Sequence, residues 1–133
     1  MAPEDLFEVV TLIVAGTVVE LLRRVVATIE AHDLDVLAVI DFSGDAADFG
    51  SPISETKLVL FTSPAATAAL MLTHPAIGLD LPLRILIREH DEGSASLSYY
   101  DSCSLARRHR LTENEADLLR VVETIAYATR STS

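Results

Sequence analysis

The fold is decided by the stretch LRILIREHDEGSASLSYY, which runs from Leu83 to Tyr100. Its first part, Leu83 to His90, is rich in branched apolar residues and predicts a strand. Asp91-Glu92-Gly93 predicts a tight turn, and Ala95 to Tyr100 predicts the returning strand. The stretch is therefore expected to form a β-hairpin, and a hairpin requires a sheet with antiparallel pairs.

Towards the N-terminus, three further apolar segments predict strands, over Leu6–Val14, Val36–Asp41 and Lys57–Phe61. Two helices are predicted among them. The first begins at a capping box from Thr17 to Glu20, and its apolar face carries Leu22. The second has Ser63 as cap and Pro64 at its first helical position. The polar, glycine-containing segment from Phe42 to Ser54 predicts a long surface loop.

After the hairpin, a short helix is predicted from Cys103 to Arg108. A capping box from Thr112 to Glu115 then opens a last helix, with a buried stripe at Leu118, Leu119, Val121, Val122 and Ile125. The order β-α-β-β-α-β-β-α predicts an α+β fold, a two-layer sandwich with a mainly antiparallel sheet and helices on one face. The length of 133 residues predicts one domain over residues 1–133.

Composition and charge exclude several classes of protein. Half of the residues are apolar and 23% are charged, which excludes a disordered chain. The net charge of −10 would be repelled by a phosphate backbone, so nucleic acid is not an expected partner. The single cysteine, the acidic start of the chain and the lack of an apolar run long enough for a bilayer predict a cytoplasmic protein that does not use a membrane.

Three motifs carry a resemblance to a known family. They are Phe61-Thr62-Ser63-Pro64, Leu79-Asp80-Leu81-Pro82-Leu83-Arg84 and Leu105-Ala106-Arg107-Arg108-His109. With these motifs the chain resembles the domain of unknown function 302 family. The resemblance implies a two-layer fold of the TATA-binding-protein-like class that is often dimeric, and it makes Asp80 the expected carboxylate of a pocket. The chain has Phe42 after Asp41, where many members of that family have histidine.

Five residues are candidate ligand contacts: Asp80, Arg84, Tyr99, Cys103 and His109. Arg84 could bind a small anion, because guanidinium pairs well with carboxylate or phosphate. Cys103 lies at a predicted helix start, where backbone amides can lower the pKa of a thiol. Each also has a plain structural role available: a turn cap for Asp80, salt bridges for Arg84 and His109, core packing for Tyr99, and a half-buried position in a tight corner for Cys103.

The spacing of the chemically active residues indicates neither a metal site nor a catalytic centre. The four histidines and Cys103 show no paired ligand spacing, so no metal is expected. Glycine-rich phosphate loops and nucleophile elbows are missing from the sequence, so no cofactor is predicted and no catalytic residue can be named.

The sequence therefore predicts a non-catalytic module that binds a small molecule or forms a homodimer; the alternative is a small enzyme acting on a small anionic or apolar metabolite. The homodimer follows from the strands, which are apolar on both faces. Two long helices can cover only one face of the sheet, so a second copy of the chain is expected to cover the other. The alternative is that the short helix beginning at Pro64 and the Phe42–Ser54 loop fold over that face.

Overall fold

The hairpin forms the middle of a five-stranded antiparallel sheet. The computed structural model describes residues 8–131. Its strands lie in the order β1-β5-β4-β3-β2. Their bounds are β1 Val9–Ala15, β2 Asp35–Asp41, β3 Thr56–Thr62, β4 Leu83–Glu89 and β5 Ser94–Tyr100. The predicted α+β architecture is confirmed; of the strand predicted to begin at Leu6, residues 6 and 7 lie outside the described residues.

Two amphipathic helices cover one face of this sheet, which we call the helix face. Helix α1, Val18–Ala31, buries Val18, Leu21, Val25 and Ile29 at the four-residue and three-residue spacing of one helical stripe. Helix α6, Val121–Ser131, packs beside α1 and over β4. The aliphatic core lies between these helices and the sheet, with Val59, Ile85, Ile87 and Leu97 among its fully buried members.

Helix caps are formed largely as the sequence predicts. The Ser63 hydroxyl caps α3, Pro64–Thr73, which has its proline in the first turn. Thr112 and Glu115 form the complete capping box of α5, Glu113–Asp117. At α1 only half of the predicted box is present: the Thr17 hydroxyl accepts from the Glu20 amide, but it donates to the Glu20 carboxylate.

The segment predicted as a loop contains a helix. Helix α2 covers Phe42–Asp48, and its cap is Asp41, whose Oδ1 accepts from the Gly44 amide at 2.9 Å. The glycines and Pro52 in this segment favoured a loop, and the Asp41 cap together with the hydrogen bond between Ser43 and Thr56 outweighs them. The two long helices α1 and α6 lie on one face of the sheet as predicted, and Phe42 at the start of α2 lines a cavity with residues of the opposite face.

The last helix is divided in two, which corrects part of the predicted stripe. Between α5 and α6, the amides of Leu118, Leu119 and Arg120 bond to carbonyls three residues back rather than four. This tighter winding turns the following residues relative to α5. As a result Leu118 is exposed while Leu119, Val122 and Ile125 are buried. Two further elements complete the chain: a 3₁₀ turn over Pro75–Leu79 and helix α4, Ser102–His109.

Candidate functional site

The sheet face opposite α1 and α6, the open face, carries a mixed apolar and polar surface. Side chains alternate along a strand, and residues opposite each other in register share a face. Strand β4 therefore presents Arg84, Leu86 and Arg88 on the open face, opposite the serines of β5 and the leucines of β3. Thr11 of β1 and Ser98 of β5 share a hydroxyl–hydroxyl hydrogen bond of 2.9 Å on this face.

A cavity of about 220 Å³ opens on this face. Its apolar walls come from four residues on four different elements: Val9, Phe42, Leu58 and Leu86. Its polar groups are the side chains of Arg84, Ser98 and Tyr100. Most small-molecule sites are apolar clefts with a few convergent polar groups, and this cavity has that composition.

Helix α2 forms one wall of the cavity because its first turn is tied to β3. The Thr56 amide donates to the Ser43 hydroxyl at 3.1 Å, and Lys57 Nζ lies 2.8 Å from Asp41 Oδ1. The hydrogen bond from Lys57 holds the pKa of Asp41 well below its usual range. These contacts place Phe42 directly over the open face.

Arg84 is the charged group of the cavity. Its guanidinium donates to the Pro82 carbonyl at 3.4 Å. Among residues 8–131, no carboxylate lies within the 4.0 Å of an ion pair with it. Arg84 is half-buried, and its guanidinium is a candidate anion contact.

Asp80 lies beside Arg84 but is engaged elsewhere. Its Oδ2 is 2.5 Å from His109 Nε2 and 3.4 Å from Arg108 Nε. Asp80 and Arg84 both line a gap of about 10 Å³, which is too small for any ligand. The structure thus brings together three of the five sequence candidates, Asp80, Arg84 and His109, at one end of the sheet.

Tyr99 lies on the other side of the sheet. Its neighbour Tyr100 is 41% exposed on the open face, whereas Tyr99 is 3% exposed in the core. Burial raises the pKa of Tyr99, and a hydrogen bond with Tyr127 of α6 raises it further. Tyr99 is among the residues that line the cavity, but its side chain is buried in the core, which is the structural role that the sequence left open for it.

Cys103 is separate from the other candidates. It is exposed in the first turn of α4, and its amide donates to Asp101 Oδ1 at 3.1 Å. Six residues along the helix from His109, it lies on a different helical face and does not approach Asp80. The half-buried packing role considered for it does not apply, because the residue is exposed.

The sequence analysis missed two parts of this region. One is Phe42: Asp41 is a good cap residue at the end of a strand, but this local signal is weak beside the distant contacts that hold α2. The other is Glu123 of α6, whose carboxylate accepts hydrogen bonds from the hydroxyl and the amide of Ser102 at the start of α4. Burial raises the pKa of Glu123. No local pattern could have paired residues that are 21 positions apart on different helices.

The groups on the open face are suited to binding a small molecule. The cavity provides a cation, two hydroxyl groups and apolar walls, which suit a ligand with an anionic group and an apolar body. In the part of the chain that the structure describes, no three side chains of histidine, cysteine, aspartate or glutamate are placed to hold a metal ion.

Comparison with known proteins identifies relatives of this chain. The model of the family described as "Domain of unknown function DUF302" matches residues 10–128. The crystal structure of an uncharacterized conserved protein DUF302 from Bacillus stearothermophilus superposes with a TM-score of 0.78, covering 92% of this chain and 94% of that one. The two sequences are 13% identical, so this likeness establishes the fold alone.

Curated relatives carry a more specific name. The chain is 34% identical over 95 residues to Fluoride-specific ion channel FluC 1 of Brucella suis and to Fluoride-specific ion channel FluC 2 of Brucella melitensis. The match covers 71% of this chain but only 37% and 35% of those proteins, so the chain spans about a third of their length. Between residues 8 and 131, no helix combines the length and the apolar character needed to cross a membrane.

Proposed function

The chain belongs to the family described as "Domain of unknown function DUF302", and from this premise we propose that it is a non-catalytic module that binds a small molecule on the open face of its sheet. The single observation that supports this function is Arg84, which lies on the wall of an apolar cavity and, among residues 8–131, has no carboxylate within ion-pair distance. The fold itself carries no function, so the proposal rests on this site.

Native mass spectrometry of the purified chain tests the proposal. A small-molecule adduct should be retained by the wild-type chain and lost when Ser98→Phe fills the cavity. Ala15→Phe is the matched control, because Ala15 is exposed on the open face of β1 at the other end of the sheet. If Ser98→Phe, checked for folding by its melting curve, keeps the adduct, the cavity is not the binding site.

A small enzyme acting on an anionic or apolar metabolite is the second candidate. The pair formed by Asp80 and His109 favours it, since a carboxylate can orient a histidine for proton transfer. Turnover of a bound metabolite that disappears in His109→Gln, with binding unchanged, would support the enzyme. If the wild-type chain shows no turnover and His109→Gln only lowers the stability of the fold, the pair is a structural contact.

The curated relatives favour one protein partner. We propose that the chain acts in the cytoplasm beside a fluoride-specific ion channel, as an accessory part that such channels elsewhere carry in the same polypeptide. Fluoride efflux from vesicles containing the channel, measured with a fluoride electrode, should change when the chain is added on the cytoplasmic side. An identical efflux rate with and without the chain would contradict this partnership.

A second copy of the chain is the other proposed partner. Strand β1 leaves Val9 and Ile13 exposed on the open face, at 62% and 50%. Phe42 lines the cavity together with Val9, yet Val9 and Ile13 stay exposed. A twofold-related copy would bury these side chains and close the mouth of the cavity.

A further inference from the structure

We propose that the ligand of the open-face cavity is a small monocarboxylic acid with an apolar body, whose carboxylate binds Arg84. This inference rests on the proposed function and names the chemical class that the site selects. It follows from three properties of the cavity, namely its size, the free donors of its arginine and the electrostatic potential of the chain.

The size of the cavity limits the ligand. Pockets for drug-sized molecules have volumes of about 300–1,000 Å³. The open-face cavity is smaller, at about 220 Å³. It therefore fits a short branched acid or an acid with a single ring, whose apolar part packs against Leu58, Leu86 and Phe42.

The arginine supplies the recognition of the head group. A guanidinium has five N–H donors in a planar fork that matches a carboxylate with two parallel hydrogen bonds. Arg84 uses one donor, to the Pro82 carbonyl at the long distance of 3.4 Å. Ser98 and Tyr100 place hydroxyl groups on the same cavity wall.

Neighbouring residues leave this arginine available. Asp80, which lines the same small gap as Arg84, has its Oδ2 within reach of His109 Nε2 and Arg108 Nε. The Asp80 carboxylate is thus stabilised by two other cationic or hydrogen-bonding side chains, and it is not paired with Arg84. A carboxylate from solution can take the position that an internal acid would otherwise occupy.

The charge of the chain selects among anions. A net charge of −10 repels every anion, and it repels a phosphate monoester with a charge near −2 more strongly than a carboxylate with a charge of −1. One half-buried arginine can balance a single charge. The site therefore favours a monoanion with an apolar body over a phosphorylated metabolite.

Three probes of similar shape test this inference: benzoate, its neutral analogue benzamide, and phenyl phosphate. Dissociation constants are measured by following the backbone amide NMR signals of Leu86 and Ser98 during titration. We expect the wild-type chain to bind benzoate at least about tenfold more tightly than benzamide, because a charge-assisted pair contributes at least that much. Phenyl phosphate should bind more weakly than benzoate.

Two arginines on the same strand and face provide a matched pair of variants. Arg84→Gln should remove the preference for benzoate and leave the affinity for benzamide unchanged. Arg88→Gln removes the same charge from the same strand, roughly 13 Å away and outside the cavity, and should keep the preference within about twofold. If Arg84→Gln does not fold, Arg84→Lys retains the charge without the fork and should show an intermediate preference.

The possible results separate this inference from the function on which it rests. Equal binding of benzoate and benzamide that is insensitive to Arg84→Gln would overturn the carboxylate ligand but leave a binding cavity. Tighter binding of phenyl phosphate, or an equal effect of Arg88→Gln, would also overturn it. If no probe shifts the signals of Leu86 and Ser98 at millimolar concentration, both the inference and the binding function at this cavity fail.

Discussion

Glu123 of α6 is a half-buried carboxylate that lies against the start of α4. The Ser102 amide and hydroxyl both donate to it, which stabilises the charged form. Burial acts in the opposite direction and is the larger effect, so the pKa of Glu123 is raised. The carboxylate thus links α6 to α4 at some cost when it is ionised.

This balance predicts how stability depends on pH. Between the ordinary carboxyl pKa of about 4.3 and the raised pKa, the folded chain holds a proton that the unfolded chain has released. The contribution of Glu123 to the free energy of unfolding therefore falls as the pH rises through this window. In Glu123→Gln the fall is absent, so the variant should gain stability relative to wild type as the pH rises above about 4.3.

Urea denaturation at several pH values measures this difference. Glu30→Gln is the control, because it removes an equal charge from an exposed position on α1. The difference between wild type and Glu123→Gln should widen with rising pH, while the difference for Glu30→Gln should stay flat. A difference for Glu123→Gln that is independent of pH would show that burial does not dominate at this carboxylate.

Cys103 is expected to be dispensable, which is also a prediction at the scale of one residue. Its side chain is exposed, and the helix cap at this position is provided by Asp101. Cys103→Ser should therefore change the free energy of unfolding by less than about 0.5 kcal/mol. Iodoacetamide should modify the folded chain at about the rate of a free cysteine, and a far faster reaction would show an activated thiol.

At the scale of elements, α1 shows how narrowly a helical stripe is defined. Leu21 is 0% exposed in the core, whereas the adjacent Leu22 lies at its edge and is partly buried. Leu21→Ala should lower the free energy of unfolding by about 2–5 kcal/mol, because it leaves a cavity in a packed core. Leu22→Ala should cost about 1 kcal/mol. Equal losses, measured by urea denaturation, would mean that α1 is rotated relative to this packing.

The elements that the sequence predicted well are those with a strong local signal. The hairpin from Leu83 to Tyr100 has apolar strands around an acidic, glycine-containing turn. Both of its strands are confirmed, and each observed bound lies within one residue of the predicted bound. The caps at Ser63 and Thr112 are confirmed for the same reason, since a hydroxyl and its target amide are three residues apart.

The elements that the sequence missed depend on contacts between distant residues. Helix α2 is only seven residues long, and its start is held by contacts of Ser43 with Thr56 and of Asp41 with Lys57. A helix this short is unstable alone, so its own sequence carries little signal. The site shows the same limit. Local patterns could identify Asp80, Arg84 and His109 as candidates, but only the fold shows that Asp80 is hydrogen-bonded to His109 while Arg84 lines the cavity.

At the scale of the whole molecule, the open face combines attraction and repulsion between copies. Val9 and Ile13 form an exposed apolar edge on β1, and soluble proteins usually cover such surfaces. Two copies with a charge of −10 each repel one another over a distance set by the ionic strength. Self-association through the open face should therefore become tighter as salt is added, which distinguishes it from association through salt bridges.

Sedimentation equilibrium at micromolar concentration tests the homodimer. Wild-type chain should sediment at twice 14.4 kDa, and Ile13→Glu should sediment at 14.4 kDa, because it places a charge in the apolar contact. Leu72→Glu is the control: Leu72 is 84% exposed on α3, away from the sheet face, and its substitution should leave the dimer intact. A wild-type mass of 14.4 kDa at both low and high salt would contradict the dimer and would show that Phe42 and the rest of α2 cover enough of the open face by themselves.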